Sequence, residues 1–246
     1  MVSVAIAATF KLLVFLFIIS TQNRKLAKTK IPMKDLSDYR KSYSKNELLE
    51  NQIPSNPMDL FQQWFQEAEA SKQVEETNAM TITTLGLDGF PRARVVLLKK
   101  IENNGFIFYT NYDSNKGKAI ENNNKVGLSF FWPALERQII IKGEANKVSS
   151  AVSDAYFASR PKGSQLGALV SPQSNAIPNR EFLENKLHQL ENEYSDKTIS
   201  RPENWGGYLV QPSEIEFWQG RPNRLHDRIC YKLNAKGDFS TERLAP

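Results

Sequence analysis

Between Ala79 and Val148 the sequence keeps the two-residue period of strands and breaks it only at turn residues, which restricts this region to short antiparallel strands. Met80 to Leu87 is rich in Thr and Ile, Asp88-Gly89 is a hairpin signal, and Arg92 to Ile101 reads as the returning strand. Asn103-Asn104-Gly105 turns the chain into a third strand, Phe106 to Asn111. Val126 to Trp132 and Gln138 to Lys142 follow, separated by Pro133, and Glu144 to Val148 continues the second of them. One short helix is inserted from Ser114 through Asn122, with Lys116 and Lys118 in its first turns. The pattern predicts an α+β, mainly β protein built on a small closed or split antiparallel barrel with flanking helices. No strand-helix-strand alternation, G-x-G-x-x-G or Walker sequence occurs, so a doubly wound nucleotide fold is not supported.

Upstream, Ser55 or Asn56 can cap a helix that starts at Pro57, and Leu60, Phe61, Trp64, Phe65 and Ala68 follow helical spacing as a core face. Downstream, Ser150 to Ser159 reads as a helix that brings Tyr156 and Arg160 together, with Ser164 next in a polar loop. A phenol, a guanidinium and a hydroxyl suit a phosphate; a surface helix end carrying an arginine is the plain alternative. Pro161 to Pro178 reads as a long loop, and Arg180 to Tyr194 as an amphipathic helix with Phe182, Leu183, Leu187 and Leu190 inward and His188 solvated. Trp205 to Val210 and Ile215 to Gln219 are strands, and Ile229 to Leu233 with Phe239 to Arg243 form a hairpin around Lys236-Gly237. Between them lies FWQGRPNRLHDR, residues 217 to 228. If Arg224 to Arg228 is extended, Arg224, His226 and Arg228 share one cationic face that needs water or an anion, with Trp218 beside it as a wall for a flat ligand.

The formal charge of +5 is unevenly placed. Residues 1–30 hold Lys11, Arg24, Lys25, Lys28 and Lys30 and no acid, leaving a formally neutral body and no support for a nucleic-acid partner. Val2 to Ser20 is apolar around a central Lys11, and the basic cluster follows it. That leaves two readings, an anchor with the remainder facing the cytoplasm or a spurious extension before Met33. Cys230 is the single cysteine, which excludes an intrachain disulfide and a zinc cluster, so no metal is expected. The expected organisation is an extension over 1–32, an N-terminal arm over 33–56 and one barrel domain over 57–246.

Taken together, RVVLLK at 94–99, FYTN at 108–111, ERQ at 136–138, YFASRP at 156–161, SQLGALVSPQS at 164–174, WGGYLVQPSEIEFWQG at 205–220, RLHDR at 224–228 and a closing RLAP resemble the pyridoxamine 5'-phosphate oxidase family. The resemblance covers essentially everything after Met33 and rests on an ordered set of motifs. It implies a Greek-key-like FMN-binding split barrel, active as a homodimer with the site at the subunit interface. It also implies oxidation of pyridoxamine or pyridoxine 5'-phosphate to pyridoxal 5'-phosphate by O2, with release of H2O2, in vitamin B6 metabolism. Matched by motif position, the FMN contacts fall on Arg94, Val95, Val96, Leu97, Leu98, Lys99, Tyr109, Thr110, Lys116, Gln138, Gln173, Ser174, Trp218 and Arg228. The substrate-phosphate contacts fall on Lys99, Tyr156, Arg160 and Ser164, and Arg224 and His226 match the residues flanking the pyridine ring and are the catalytic candidates. Arg40 to Tyr43 match an arm that can close over the ring. Asn115 departs from the pattern, standing where relatives often carry an arginine beside the flavin phosphate. The competing readings are another split-barrel FMN-dependent reductase and a non-catalytic FMN or pyridoxal phosphate binder.

Overall fold

Asn56, not Ser55, caps the first helix: its side chain accepts the Met58 N–H at 3.0 Å, and Pro57 takes the first helical position of α1 (Pro57–Ser71). The computed structural model describes residues 34–246, so the expectations for residues 1–33 lie outside the described residues. Ser42–Pro246 forms one compact unit. Residues 34–41 belong to the other unit and are exposed irregular chain. Helix α1 buries Leu60, Phe61, Trp64 and Ala68. Phe61 lies at the centre of an aromatic cluster, 4.9 Å from Phe106, 5.2 Å from Phe130 and 5.9 Å from Phe65 between ring centroids.

The body is one nine-stranded antiparallel sheet in the order β2-β1-β5-β6-β7-β4-β3, with β8 added to β7 and β9 to β8. The strands are β1 (Ala79–Leu85), β2 (Pro91–Leu97), β3 (Lys100–Glu102), β4 (Gly105–Asn111), β5 (Lys125–Trp132), β6 (Arg137–Lys147), β7 (Trp205–Gln219), β8 (Asp227–Leu233) and β9 (Phe239–Arg243). The helices α2 (Asn115–Asn122), α3 (Ser150–Ser159), α4 (Lys162–Val170) and α5 (Arg180–Glu193) flank it. The protein is thus the mainly β fold expected, a curled half-barrel sheet with helices around it.

Strand β7 organises the sheet. One of its edges pairs with β6 from Tyr208 to Gln219; the other pairs first with β4, over Trp205–Val210, and then with β8, over Glu214–Gln219. The two strands expected at 205–210 and 215–219 are therefore one. It is continuous because a bulge at Ser213, where β6 shifts register between Lys142 and Gly143, absorbs the irregularity. The strand expected over 92–101 is conversely two, β2 and β3, broken where Leu98 and Lys99 bond Asn78 and Ile107 outside the ladder.

Two further expectations are corrected. The segment 161–178 contains helix α4: Gly163 and Gly167 lower its intrinsic propensity, but Leu166 and Val170 are buried and tertiary packing holds the helix. Phe182 is not inward but 40 % exposed, because Leu187, Leu190 and Tyr194 form the stripe of α5 that packs on Phe157 and Trp205, and Phe182 sits at its border.

Truncating Phe61 to Ala removes the ring at the centre of the aromatic cluster and is expected to cost about 3–5 kcal/mol of stability in chemical denaturation. A loss below about 1 kcal/mol would show that α1 is dispensable to the core.

Candidate active site

A cavity of about 620 Å³ opens between β2, β4 and the helical layer. Val95, Val96 and Leu97 supply one wall, Tyr109 and Thr110 the floor, and Lys99 the rim where β2 ends. Lys116 enters from α2, Tyr156 and Arg160 from the end of α3, Ser164 from α4, and Gln173 from the loop beyond.

Arg160 lies one residue past α3 in extended backbone, so its side chain leaves the helix axis. Its guanidinium stacks 4.6 Å above the Trp205 ring and 5.6 Å from that of Phe157. Its Nη1 is buried and has no hydrogen-bond partner among the described residues, and burial pulls its pKa below the ordinary arginine value. A desolvated guanidinium N–H without an acceptor is an anion site in waiting. The expected i to i+4 meeting of Tyr156 with Arg160 takes a different form: Tyr156 stacks on Tyr109, 3.8 Å between centroids, and both residues reach the cavity through this aromatic layer.

Lys116 is the second desolvated cation, only 9 % exposed. Its Nζ donates to Gln173 Oε1 at 2.9 Å, Thr110 Oγ1 at 3.0 Å and Ser114 Oγ at 3.4 Å, and all three partners are neutral. Burial first, and the nearby Arg94 charge second, pull its pKa down to about 8. Arg94 points into a separate cleft of about 170 Å³ shared with Thr84, Asn115 and Lys118, and donates to Thr84 Oγ1 at 2.8 Å. Arg94 and Lys99 thus serve different recesses, as their five-residue spacing on a strand requires.

The remaining candidates lie elsewhere. Leu98 is in the core, and Ser174 is exposed beside Gln173 with left-handed backbone, φ 73°. Gln138, Trp218 and Arg228 form one row across β6, β7 and β8, since their register pairs put them on the same outer face. Arg228 is held by Glu216, through Nε at 2.7 Å and Nη2 at 3.1 Å, and by the Ala245 carbonyl at 2.7 Å. Tyr43, Trp218 and His226 form a three-ring cluster with centroids 4.6 to 5.8 Å apart. Arg40 lies in the exposed 34–41 segment, which belongs to the other unit.

The extended cationic face expected for Arg224, His226 and Arg228 does not form. Pro222 starts a turn of 3-10 helix, Asn223 and Arg224 are left-handed at φ 57° and 63°, and β8 begins only at Asp227. Arg224 is consequently an exposed turn residue, while His226 faces the rings. The backbone N–H of Arg221 donates to His226 Nδ1 at 3.1 Å, which places the proton of the neutral imidazole on Nε2. Burial and the Arg224 charge lower the His226 pKa against the opposing pull of Asp227. Trp205, Glu136, Glu216 and Asp227, all of which shape these clusters, were passed over as site residues. All four stand inside the motifs, but nothing local marks the ring, backbone or guanidinium each one meets.

The two clusters share β7. Trp205 belongs to the cavity and Trp218 to the ring cluster; they are thirteen positions apart on the strand, roughly 40 Å along the chain. One small ligand cannot bridge that length within a single chain.

A half-barrel sheet with desolvated cations lining a cavity of about 620 Å³ has the donor set and the room of a site for an anionic small molecule. Residues 66–194 match the Pyridoxamine 5'-phosphate oxidase family and residues 205–246 match the Pyridoxine 5'-phosphate oxidase C-terminal dimerisation region. The pyridoxine/pyridoxamine 5'-phosphate oxidase of Flavobacterium psychrophilum is 63% identical over 214 residues, 87% of this chain and 100% of that protein. Its counterpart in Flavobacterium johnsoniae is 62% identical over 213 residues, 87% of this chain and again the whole of the relative. Among solved structures, PhzG from Burkholderia lata in complex with tetrahydrophenazine-1-carboxylic acid superposes with a TM-score of 0.76 at 27% identity, covering 82% of this chain and 100% of that one. The chain belongs to the pyridoxamine 5'-phosphate oxidase family.

Because the folded-state pKa of Lys116 lies below that of a free lysine, the unfolded chain binds more protons between about pH 8 and 10.5, and ligand-free stability rises across that window. Lys116→Met is expected to remove this rise, to stabilise the ligand-free protein at pH 7 by about 1–3 kcal/mol, and to weaken stabilisation by inorganic phosphate. Urea titrations at pH 7 and pH 10 test it; a Met variant that is less stable at pH 7 contradicts the assignment.

Proposed function

We propose that the protein uses FMN to oxidise pyridoxamine 5'-phosphate and pyridoxine 5'-phosphate to pyridoxal 5'-phosphate, with O2 as the electron acceptor and H2O2 as product. The observation that carries this reading is the buried, unpartnered Nη1 of Arg160 in a cavity that also presents Lys99, Tyr156 and Ser164. These four groups supply donors for a terminal phosphate, so binding energy far from the reacting carbon holds it in place. FMN, when bound, supplies the two-electron chemistry that no side chain can. Arg94 and Lys116, desolvated and with only neutral side-chain acceptors, fit its phosphate, and Gln138, Trp218 and Arg228 fit the ring system as one row of a sheet face. His226 presents an Nε2 proton to the substrate, and Arg224 flanks the same ring.

Two copies of the chain complete each site. Roughly 40 Å of β7 separates the phosphate cavity from the ring cluster, so the reading assigns the cavity to one protomer and the Trp218–His226 wall to its partner. The match of residues 205–246 to a dimerisation region, and the 66 % exposure of Val95 at the cavity edge, support that arrangement. The basic cluster Arg24 to Lys30 after the apolar run supports a barrel domain working in the cytoplasm.

An oxygen-electrode or peroxide assay with pyridoxamine 5'-phosphate tests the activity, and absence of turnover with FMN bound refutes it. Arg160→Ala is expected to raise KM by about 10- to 100-fold with kcat little changed, since it removes a charge-assisted contact to a remote group; an unchanged KM removes Arg160 from the phosphate site. Arg224→Leu is expected to lower kcat on the order of 100-fold while FMN stays bound, and near-normal turnover would take Arg224 out of the reaction.

A further inference from the structure

Glu136 is held in a way that the turn it occupies does not require. It sits between β5 and β6 with left-handed backbone, φ 58°, a conformation that costs a non-glycine residue roughly 1 kcal/mol. It is only 2 % exposed, whereas a turn glutamate normally reaches for water. Its Oε2 accepts the backbone N–H groups of Ser44 at 2.8 Å and Lys45 at 3.0 Å, more than ninety residues away in sequence. Lys45 Nζ closes the same junction on the Ala134 carbonyl at 2.6 Å. The Glu136 carbonyl meanwhile accepts Gly220 N–H at 2.7 Å and the Gln219 side chain at 3.2 Å. One residue thus ties the 43–48 strap, the β5–β6 turn and the end of β7.

The strap delivers Tyr43. Its ring meets Trp218 edge-on at 5.7 Å and lies 5.8 Å from His226. The fit leaves no slack: a Cβ on Gly220 would fall 2.8 Å from Tyr43 and 3.1 Å from the Glu136 side chain. A second carboxylate repeats the device four residues on, where Asp227 Oδ2 accepts Leu48 N–H at 3.0 Å and Arg221 Nη1 at 3.4 Å. Both carboxylates grip backbone N–H groups of the strap, so its course is fixed whatever its own side chains are, and the side chain placed by that course is Tyr43.

We propose that Glu136 is a positioning residue for the ring pocket: by clasping the Ser44–Lys45 backbone it sets Tyr43 as the third wall beside Trp218 and His226, and so sets affinity for the substrate's pyridine ring. The identity of the ligand rests on the oxidase reading above; the clasp rests on the contacts alone.

The test uses the full-length, FMN-loaded protein in four variants: Glu136→Ala, Tyr43→Ala, both together, and Glu136→Gln, which keeps an acceptor oxygen. Losing a charged acceptor is expected to raise KM for pyridoxamine 5'-phosphate about tenfold in each single Ala variant, with FMN affinity and kcat little changed. If Glu136 acts through Tyr43, the double variant is no worse than about twofold beyond either single, and Glu136→Gln stays within about threefold of the parent. Trypsin supplies a readout independent of turnover: cleavage after Lys45 should be slow in the parent and in Glu136→Gln and faster in Glu136→Ala. Additive losses in the double variant, an unchanged KM in Glu136→Ala, or unaltered cleavage at Lys45 would each overturn the proposal. Should the parent show no turnover, the oxidase reading fails by itself. Titration with pyridoxal 5'-phosphate then replaces KM, with the same tenfold weakening expected on loss of the clasp and an unchanged affinity counting against it.

Discussion

Every residue of β6 finds a partner on β7, and the placement of both functional clusters follows from that pairing. Because one edge of β7 is engaged with β6 from Tyr208 to Gln219, its other edge is free to change partner from β4 to β8 without the strand losing its course. The β4 half carries the Trp205 side of the cavity and the β8 half carries the Trp218 row.

The arginines divide by their company. Arg221, Arg228 and Arg243 are each matched to carboxylates: Arg221 to Glu47 and Asp227, Arg228 to Glu216, and Arg243 to Glu50 and Asp227. Arg94 and Arg160 have no carboxylate partner among the described residues and are partly desolvated, as is Lys116. Burying a cation without an acid is unfavourable unless something anionic arrives, so the second group has the electrostatics that the proposed function requires, while Arg221 and Arg243 are neutralised within the framework. Arg228 stands between the two, a cation aimed by a carboxylate rather than cancelled in the core. Helices do the corresponding work on the apolar side: Phe157 and Leu166 pack with Trp205 into a small second core that keeps water from the underside of the Arg160 guanidinium.

The sheet was legible in the sequence because each of its strands declares a period of two and each early turn carries Gly or Asn. What was not legible was continuity. Pro212 and Ser213 look like a break between two strands, and only pairing with β6 shows that they are not. Helix α4 was hidden for the opposite reason, since its glycines and serine argue locally for a loop and its stability comes from burial of Leu166 and Val170. In the site, residue types and motif order pointed to Lys99, Tyr156, Arg160 and Ser164, and the cavity gathers those four. The geometry of RLHDR was not legible, because the left-handed turn at Asn223 and Arg224 is accompanied by contacts that sequence spacing does not reveal, Arg221 bonding His226 Nδ1 through its backbone N–H and Glu47 through its guanidinium. Glu136 was invisible as a functional residue, for its partners are backbone N–H groups that any sequence would present.

The bulge at Ser213 also sets the phase of β7. Before it, the even-numbered residues Tyr208, Val210 and Pro212 face the core; after it, the odd-numbered Ile215, Phe217 and Gln219 do. Trp205 and Trp218 are an odd number of positions apart and would project from opposite sides of an unbroken strand, yet both stand on the outer side. A single extra residue therefore acts as a phase shifter that lets one strand present a tryptophan to the outer side at each end without turning its hydrophobic side to water.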